Sequence, residues 1–335
     1  MKRRTVLALP AALAVLPVRV AAAAEPDAVV KFYTSLPSEQ NVAMMAGLTA
    51  QMPGLKMDWV RGGGVSIFTR FVSERMGGGA NIDLLHFSFT PGWYFLVSND
   101  WVVPGMASRP EAAAFYDFAK DGPASFVALR VSTLRVIYNK DRTKPSDLPK
   151  SWADFTKPAW KDKLVLNDPF ESAGTWDFFF ASKPFGRAYI EGLIKNGVLV
   201  QRGMSSVVDS VARGERDYGF VFEYLASVRI KQGAPIGFAD MQEGVPVIPA
   251  PFGLIKGGPN PQGALTVFDY VISHAGQQAM VDAVGTYSGR KDVNPPAGFE
   301  PLSGMKLLVA DYRTAFTNPD EYQDFITGMV QGARK

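Results

Sequence analysis

The sequence predicts an α/β protein built on mainly parallel sheets, and three observations carry that expectation. Short β-branched or apolar runs alternate with longer stretches of helical period. A chain of 335 residues, 47% hydrophobic and 20% charged, is better served by two packed domains than by one core. One apolar run, Val127 to Asn139, is too long for a strand inside one compact domain and reads as a strand that passes from one domain into another.

Each element follows from its own pattern. Val29 to Thr34 is a first strand. Pro37 then sits where a first helical turn tolerates it, and Met45, Leu48 and Met52 recur at helical spacing. Leu55 to Val60 is a second strand; Arg61-Gly62-Gly63-Gly64-Val65-Ser66 leads from it into a helix with Ile67, Phe68, Phe71 and Val72 on one face. Ile82 to His86 is a third strand, turned by Phe87-Ser88-Phe89-Thr90-Pro91. Lys163 to Leu166 runs into Asn167-Asp168-Pro169-Phe170-Glu171-Ser172-Ala173-Gly174-Thr175-Trp176, again strand, polar turn and helix, and Tyr218 to Phe222 is a buried strand ending in Glu223-Tyr224. Val245 to Lys256 is the natural return crossing, although Pro246, Pro249 and Pro251 predict an irregular or edge strand. From Pro261 onward three helical segments finish the chain, with Ala264, Phe268, Val271 and Ile272 on an apolar face.

Residues 1–24 read as a cleaved secretory signal: a basic start, an apolar run from Val6 to Val18 broken by two prolines, then Ala21 to Ala24. Arg3-Arg4-Thr5-Val6-Leu7 is similar to a twin-arginine export motif, and paired basic residues also occur in ordinary signals. The run is too short and interrupted for a transmembrane anchor, and no cysteine stands at the cleavage site to carry a lipid. This segment supplies the charge of the chain. It holds four of the 35 basic side chains and no acid, so the mature body has 31 against 32 acidic ones, and nothing in that balance points to nucleic acid.

Several familiar chemistries are excluded. The absence of cysteine removes disulfides, thiolate nucleophiles and cysteine-ligated metals. His86 and His274 are in no metal-binding spacing and read as structural. There is no Gly-x-Ser-x-Gly elbow, and the Gly62-Gly63-Gly64 run is neither a P-loop nor a dinucleotide fingerprint. Asp168 with Glu171, and Glu215 with Asp217, read as caps or surface charge. What remains is a set of polar strand-to-helix turns: Ser35 and Ser38, Gly63 to Ser66, Ser88 and Thr90, and Ser172 to Thr175. Singly, each hydroxyl is an N-cap. Together, at the carboxyl ends of parallel strands, they predict a polar cleft whose free N–H groups suit an anion or a hydroxylated solute.

The segment Leu148-Pro149-Lys150-Ser151-Trp152-Ala153-Asp154-Phe155, followed by Lys157-Pro158-Ala159-Trp160-Lys161-Asp162-Lys163, resembles periplasmic substrate-binding proteins of ABC importers, in the ferric-iron, thiamine, polyamine and phosphonate branch. Tyr138-Asn139-Lys140, Gly214-Glu215, Lys231 to Ile236, and Gly285 with Arg290-Lys291-Asp292-Val293 fit the same family in the same order. The resemblance implies a two-lobed, type II periplasmic-binding-protein-like fold: each lobe a mainly parallel sheet flanked by helices, the two joined by two crossing strands. Lobe one would be 25–130 plus 253–335 and lobe two 131–252. It also implies a monomeric receptor without enzymatic activity, resident cofactor or metal. Its partners would be a small-molecule ligand and the permease subunits of an ABC importer in the inner membrane.

The resemblance further implies a ligand set. Ferric-binding members present two adjacent tyrosines where this chain has Glu223-Tyr224, so a small polar organic solute is favoured over iron, for which Tyr33, Glu223 and Tyr224 would be the oxygen donors. An anionic solute would use Ser35, Ser66, Ser88, Ser172 and Thr175, with Arg61 as counter-charge; a cationic one would use Glu171 and Glu223, with Trp93 for cation–π contact and Tyr224 packing on either. The competing readings are an exported hydrolase or transferase on a similar scaffold, and a receptor that feeds a sensor.

Overall fold

The computed structural model describes residues 29–122, 125–169, 173–315 and 324. The expected export segment and the candidates Glu171 and Ser172 lie outside these residues. In chain order the elements are β1 (Val30–Thr34), α1 (Ser38–Gln51), β2 (Met57–Arg61), α2 (Gly64–Met76), β3 (Leu84–His86), α3 (Thr90–Ser98), β4 (Lys120–Asp121) and β5 (Phe126–Asn139). The chain continues with β6 (Leu164–Asn167), α4 (Gly174–Ala181), α5 (Gly186–Lys195), β7 (Leu199–Gln201), α6 (Met204–Ala212), β8 (Tyr218–Phe222), α7 (Glu223–Lys231) and β9 (Ile236–Ala239). It closes with β10 (Val245–Leu254), α8 (Pro261–Ile272), α9 (His274–Val284), β11 (Leu307–Leu308) and α10 (Tyr312–Ala315). No helix among the described residues is long and apolar enough to cross a membrane.

The strands run in the order β2-β1-β3-β10-β5-β8-β6-β7. β1, β2 and β3 are mutually parallel, with Phe32 opposite both Trp59 and Leu84, and β6, β7 and β8 are parallel in the second lobe. Two antiparallel strands, β5 and β10, join the lobes. β5 pairs with β10 from Val127 to Thr133 and with β8 from Leu134 to Tyr138, so one strand serves both sheets, as its length predicts.

Of the irregular or edge strand expected for the return crossing, β10 shows the irregularity and not the edge. It is an interior strand, hydrogen-bonded to β3 on one side and β5 on the other, not an edge. Its prolines are tolerated because β3 ends at His86, opposite Phe252. From Pro251 back to Val247 only β5 pairs with β10, before β11 joins at Pro246 and Val245, and side chains take its free carbonyls there: His86 Nδ1 lies 3.0 Å from the Pro251 oxygen, and Thr90 Oγ1 donates to the Pro249 oxygen at 3.4 Å. Proline has no N–H to leave unpaired there, and the ladder absorbs the irregularity as a register shift between Ala250 and Pro251.

Two apolar cores hold the layers. One packs Phe32, Phe252 and Phe268 beneath α1, α8 and α9; Phe252 stacks on Phe268 with centroids 5.3 Å apart and meets Phe32 edge-on at 6.0 Å. The other runs from Phe71, Phe87 and Trp93 in lobe one to Trp152, Trp176 and Phe220 in lobe two. The segment that carries the family resemblance builds this second core. Ser151 and Asp154 form a capping box, with Asp154 accepting the Ser151 N–H and the Ser151 hydroxyl accepting the Ala153 N–H. The cap aims Trp152 inward, where its Nε1 donates to the Gly244 carbonyl at 3.1 Å and its ring lies 4.9 Å from Phe220.

Candidate functional site

The carboxyl ends of β1, β2 and β3 are stitched into one ledge. Ser35 N–H donates to the His86 carbonyl at 3.0 Å, Gly62 N–H to the Thr34 carbonyl at 3.2 Å, and Leu36 N–H to Thr34 Oγ1 at 3.1 Å. Arg61 is exposed and reaches back so that its Nε meets the Leu36 carbonyl at 3.4 Å. Ser66 is exposed on the first turn of α2, and Ser88 is half-buried beside Gly64, where an added Cβ would stand 3.2 Å from its Oγ.

Lobe two meets this ledge at the start of α4. A Cβ on Gly174 would lie 3.3 Å from Ile248 Cγ2, 3.4 Å from Phe222 Cζ and 3.9 Å from the Ser88 carbonyl oxygen. The lack of a side chain therefore lets the helix start close onto both the joining strand and the opposite lobe. Next to it Thr175 is fully buried, with no partner for its Oγ1 among the described residues; Ser35 Oγ is likewise buried and unpartnered among them. Trp176 anchors the turn by donating Nε1–H to the Asn167 carbonyl at 2.8 Å.

The helix starts themselves are open. The six helices that follow parallel strands, α1, α2, α3, α4, α6 and α7, begin at Pro37, Gly63, Phe89, Ala173, Gly203 and Phe222, and none has a side-chain cap hydrogen bond. By contrast α8 and α9 are capped by Asn260 and Ser273. The Ser and Thr side chains of these turns are thus not used as caps, and first-turn N–H groups remain for something else.

Glu223 opens α7 and is already engaged: its carboxylate accepts from Thr133 Oγ1 at 2.7 Å and from Arg135 at 3.1 Å, while Arg135 also reaches Asp240 at 2.7 Å. Burial, with the Glu223 charge second, raises the pKa of the nearby Tyr287 phenol above its usual value. Tyr224 is half-buried and stacks on Phe222 at 6.3 Å. It lines an interlobe cavity of about 270 Å³ in which Tyr224, Ser227 and Lys231 face Asp282, Gly285 and Phe299.

Two placements differ from the sequence reading. Trp93 has no exposed surface; its ring packs 5.7 Å from Phe87 and 6.0 Å from Phe126, inside the core of lobe one. Two of the three oxygen donors expected for iron are engaged by protein groups: the Tyr33 hydroxyl donates to Glu74 on α2 at 2.8 Å, and Glu223 accepts from Thr133 on β5 at 2.7 Å.

The sequence reading passed over Thr133, Arg135 and Arg130 in β5. Arg130 is 5% exposed and donates to Ser132 Oγ at 2.9 Å. His86, read as structural, is buried with its Nδ1 on Pro251 and its Nε2 unpartnered. Burial first, then the charge of Arg130, push its pKa down to about 3, against the opposing hydrogen bond to Pro251. The signal in the sequence was a single charge inside Phe126-Val127-Ala128-Leu129-Arg130-Val131, an otherwise apolar strand.

Residues 104–315 match the family model described as bacterial extracellular solute-binding protein. Among solved structures, the chain is similar to iron-bound HitA from Pseudomonas aeruginosa, with a TM-score of 0.78 and 15% identity over 90% of this chain and 99% of that one. It is also similar to AfuA from Actinobacillus pleuropneumoniae with fructose-6-phosphate bound, with a TM-score of 0.75 and 18% identity over 91% and 98%. A ferric binding protein from Campylobacter jejuni matches with a TM-score of 0.76 and 14% identity over 90% and 99%. At these identities the likenesses establish a type II periplasmic-binding fold.

Proposed function

The chain belongs to the bacterial extracellular solute-binding protein family, and from that premise we propose that it is a periplasmic receptor, exported by a cleaved signal peptide, that captures a small polar organic solute in the interlobe cleft and delivers it to the permease of an ABC importer. The lobes of this reading are 25–130 with 253–335, and 131–252, crossed by β5 and β10. The observation that carries it is the set of uncapped helix starts at the carboxyl ends of parallel strands, met across the seam by Gly174 and Thr175. Such N–H groups bind solute oxygens without needing a charged side chain. The binding residues in this reading are Ser35, Ser66, Ser88, Ser172 and Thr175, with Tyr224 at the mouth.

A receptor rather than an enzyme fits the histidine chemistry. The carbonyl of Pro251 only accepts, so His86 Nδ1 carries the proton, and among the described residues no hydroxyl is bonded to its Nε2; a described serine or threonine has no base there.

The reading is tested by a thermal-shift screen of the purified, ligand-stripped mature protein. The panel holds organophosphates, phosphonates, dicarboxylates, sugars, polyamines, thiamine, and ferric iron with a synergistic anion. A solute at 100 times its Kd stabilises by about 2.7 kcal/mol, so one chemical class should raise the Tm by several degrees. Silence across the panel would overturn the reading.

A further inference from the structure

Two arginines enclosed elsewhere in this protein, Arg290 and Arg135, are neutralised. Arg290, 7% exposed, is paired with Glu111 at 2.6 Å and Asp292 at 2.7 Å and also donates to the Ile272 carbonyl. Arg135 holds Glu223 and Asp240. Arg130 is buried as deeply and is different. Its guanidinium makes one hydrogen bond among the described residues, to a neutral serine, its Nε is enclosed without a partner, and no described carboxylate is within ion-pair distance.

An arginine cannot escape this by losing its proton, and an uncompensated charge in a protein interior is expensive. Its place in the fold suggests what compensates it. Arg130 stands opposite Ala250 on the two strands that join the lobes, one residue from Pro249, whose carbonyl is held by Thr90 at the start of α3. The start of α4 arrives at the same strand through Ile248. His86, the titratable neighbour on which the Arg130 charge acts, stays neutral and adds no second positive charge. Arg61, the counter-charge expected from sequence, is exposed and bound to a backbone carbonyl.

We propose that Arg130, assisted by the Ser132 hydroxyl, is the counter-charge for an anionic group of the solute, a phosphoryl, phosphonate or carboxylate oxygen pair that matches the guanidinium fork. This inference rests on the receptor reading and narrows it to anionic solutes. Because Arg130 sits on the joining strands, parting of the lobes gives the anion access, and closure buries the pair.

The experiment measures binding of glycerol 3-phosphate, methylphosphonate, succinate and spermidine to the full mature chain by calorimetry, and thermal unfolding without ligand. Arg130→Gln, Arg130→Lys and, as a surface control, Arg187→Gln are compared with the wild type. At least one of the three anions should bind the wild type and the control equally. Arg130→Gln should lose about 100-fold in affinity, as expected for a charged hydrogen-bonding group, and Arg130→Lys about tenfold because it keeps the charge without the fork. The ligand-free Tm of Arg130→Gln should equal or exceed that of the wild type, since an uncompensated charge has been removed; a merely structural arginine would lower it. Unchanged anion affinity in Arg130→Gln overturns the proposal. Binding of spermidine or of an uncharged member of the screening panel, with no response to the anions, overturns it while leaving the receptor reading standing; silence toward every class removes both.

Discussion

At the scale of single residues, the seam between the lobes is written in groups whose ordinary partners are missing. His86 shows how burial converts this into a measurable property. In the folded chain it remains neutral down to about pH 3, whereas the unfolded chain protonates it near 6.5. Between these values the unfolded state binds a proton that the folded state does not. The His86 contribution is therefore complete above pH 6.5 and is lost as pH falls toward 3, by about 1.4 kcal/mol per unit. His86→Asn keeps a donor for the Pro251 carbonyl and removes the titration. Urea midpoints at pH 7.5 and 4.5 should fall further in the wild type than in this variant, and equal falls would refute the assignment. Glu223 makes the opposite case, a buried charge fully engaged by Thr133 and Arg135. Neither state could be read from sequence. The residue types at Ser35, Thr175 and Glu223 were legible as polar groups at strand ends, but whether a hydroxyl caps a helix or lies unpartnered depends on contacts across the lobes. Trp93 marks the same boundary from the other side: an aromatic residue near a turn is equally suited to a ligand and to a core, and only the packing of Phe87 and Phe126 decides.

At the scale of elements, the apolar runs that identify β1, β3, β6 and β8 suffice because each strand is buried where it forms. Short β4, β9 and β11 exist only through pairing with β5 or β10, so no local pattern announces them. β10 is the instructive case: its prolines announce the irregularity seen between Ala250 and Pro251, but not that the end of β3 lets Pro249 and Pro251 sit in an interior strand. The Trp-containing segment was legible because its cap is local, with Ser151 and Asp154 three residues apart, whereas its indole bond to Gly244 and its ring contacts with Phe179 and Phe220 come from distant parts of the chain. Truncation should show how much lobe two depends on it. Trp152→Ala removes a ring packed between Phe179 and Phe220 and should cost about 3–5 kcal/mol. Ser151→Ala, losing the cap and the hydroxyl's hydrogen bond to Glu243, should cost about 1–2 kcal/mol. Denaturant titration monitored by far-UV circular dichroism tests both; a Trp152→Ala loss no larger than that of Ser151→Ala would show that the indole is not central to this core.

At the scale of the molecule, the lobes are joined by more than two strands. The segment that forms α10 lies across them: Asp311 N–H donates to the Ala181 carbonyl at the end of α4, and Arg313 pairs with Asp121, which also accepts from the Tyr94 hydroxyl at 3.0 Å. These contacts lie beside the joining strands, close to the pivot, and so limit how far the lobes part without blocking closure. The irregular pairing at Ala250 and Pro251 interrupts the ladder between the two joining strands. A bound solute favours the closed arrangement only by the contacts it makes to both lobes at once. Solution scattering then has a definite expectation. The ligand-saturated protein should approach the radius of gyration of a compact chain of this size, about 20 Å, and the ligand-free protein should exceed it. Arg313→Ala should widen the ligand-free form further while leaving the saturated one unchanged, because its pair with Asp121 fastens α10 to lobe one while Asp311 reaches Ala181 in lobe two, and neither touches the solute. Identical radii with and without a solute shown to bind would mean that capture proceeds without lobe closure, and an unchanged ligand-free radius in Arg313→Ala would remove α10 as the element that limits opening.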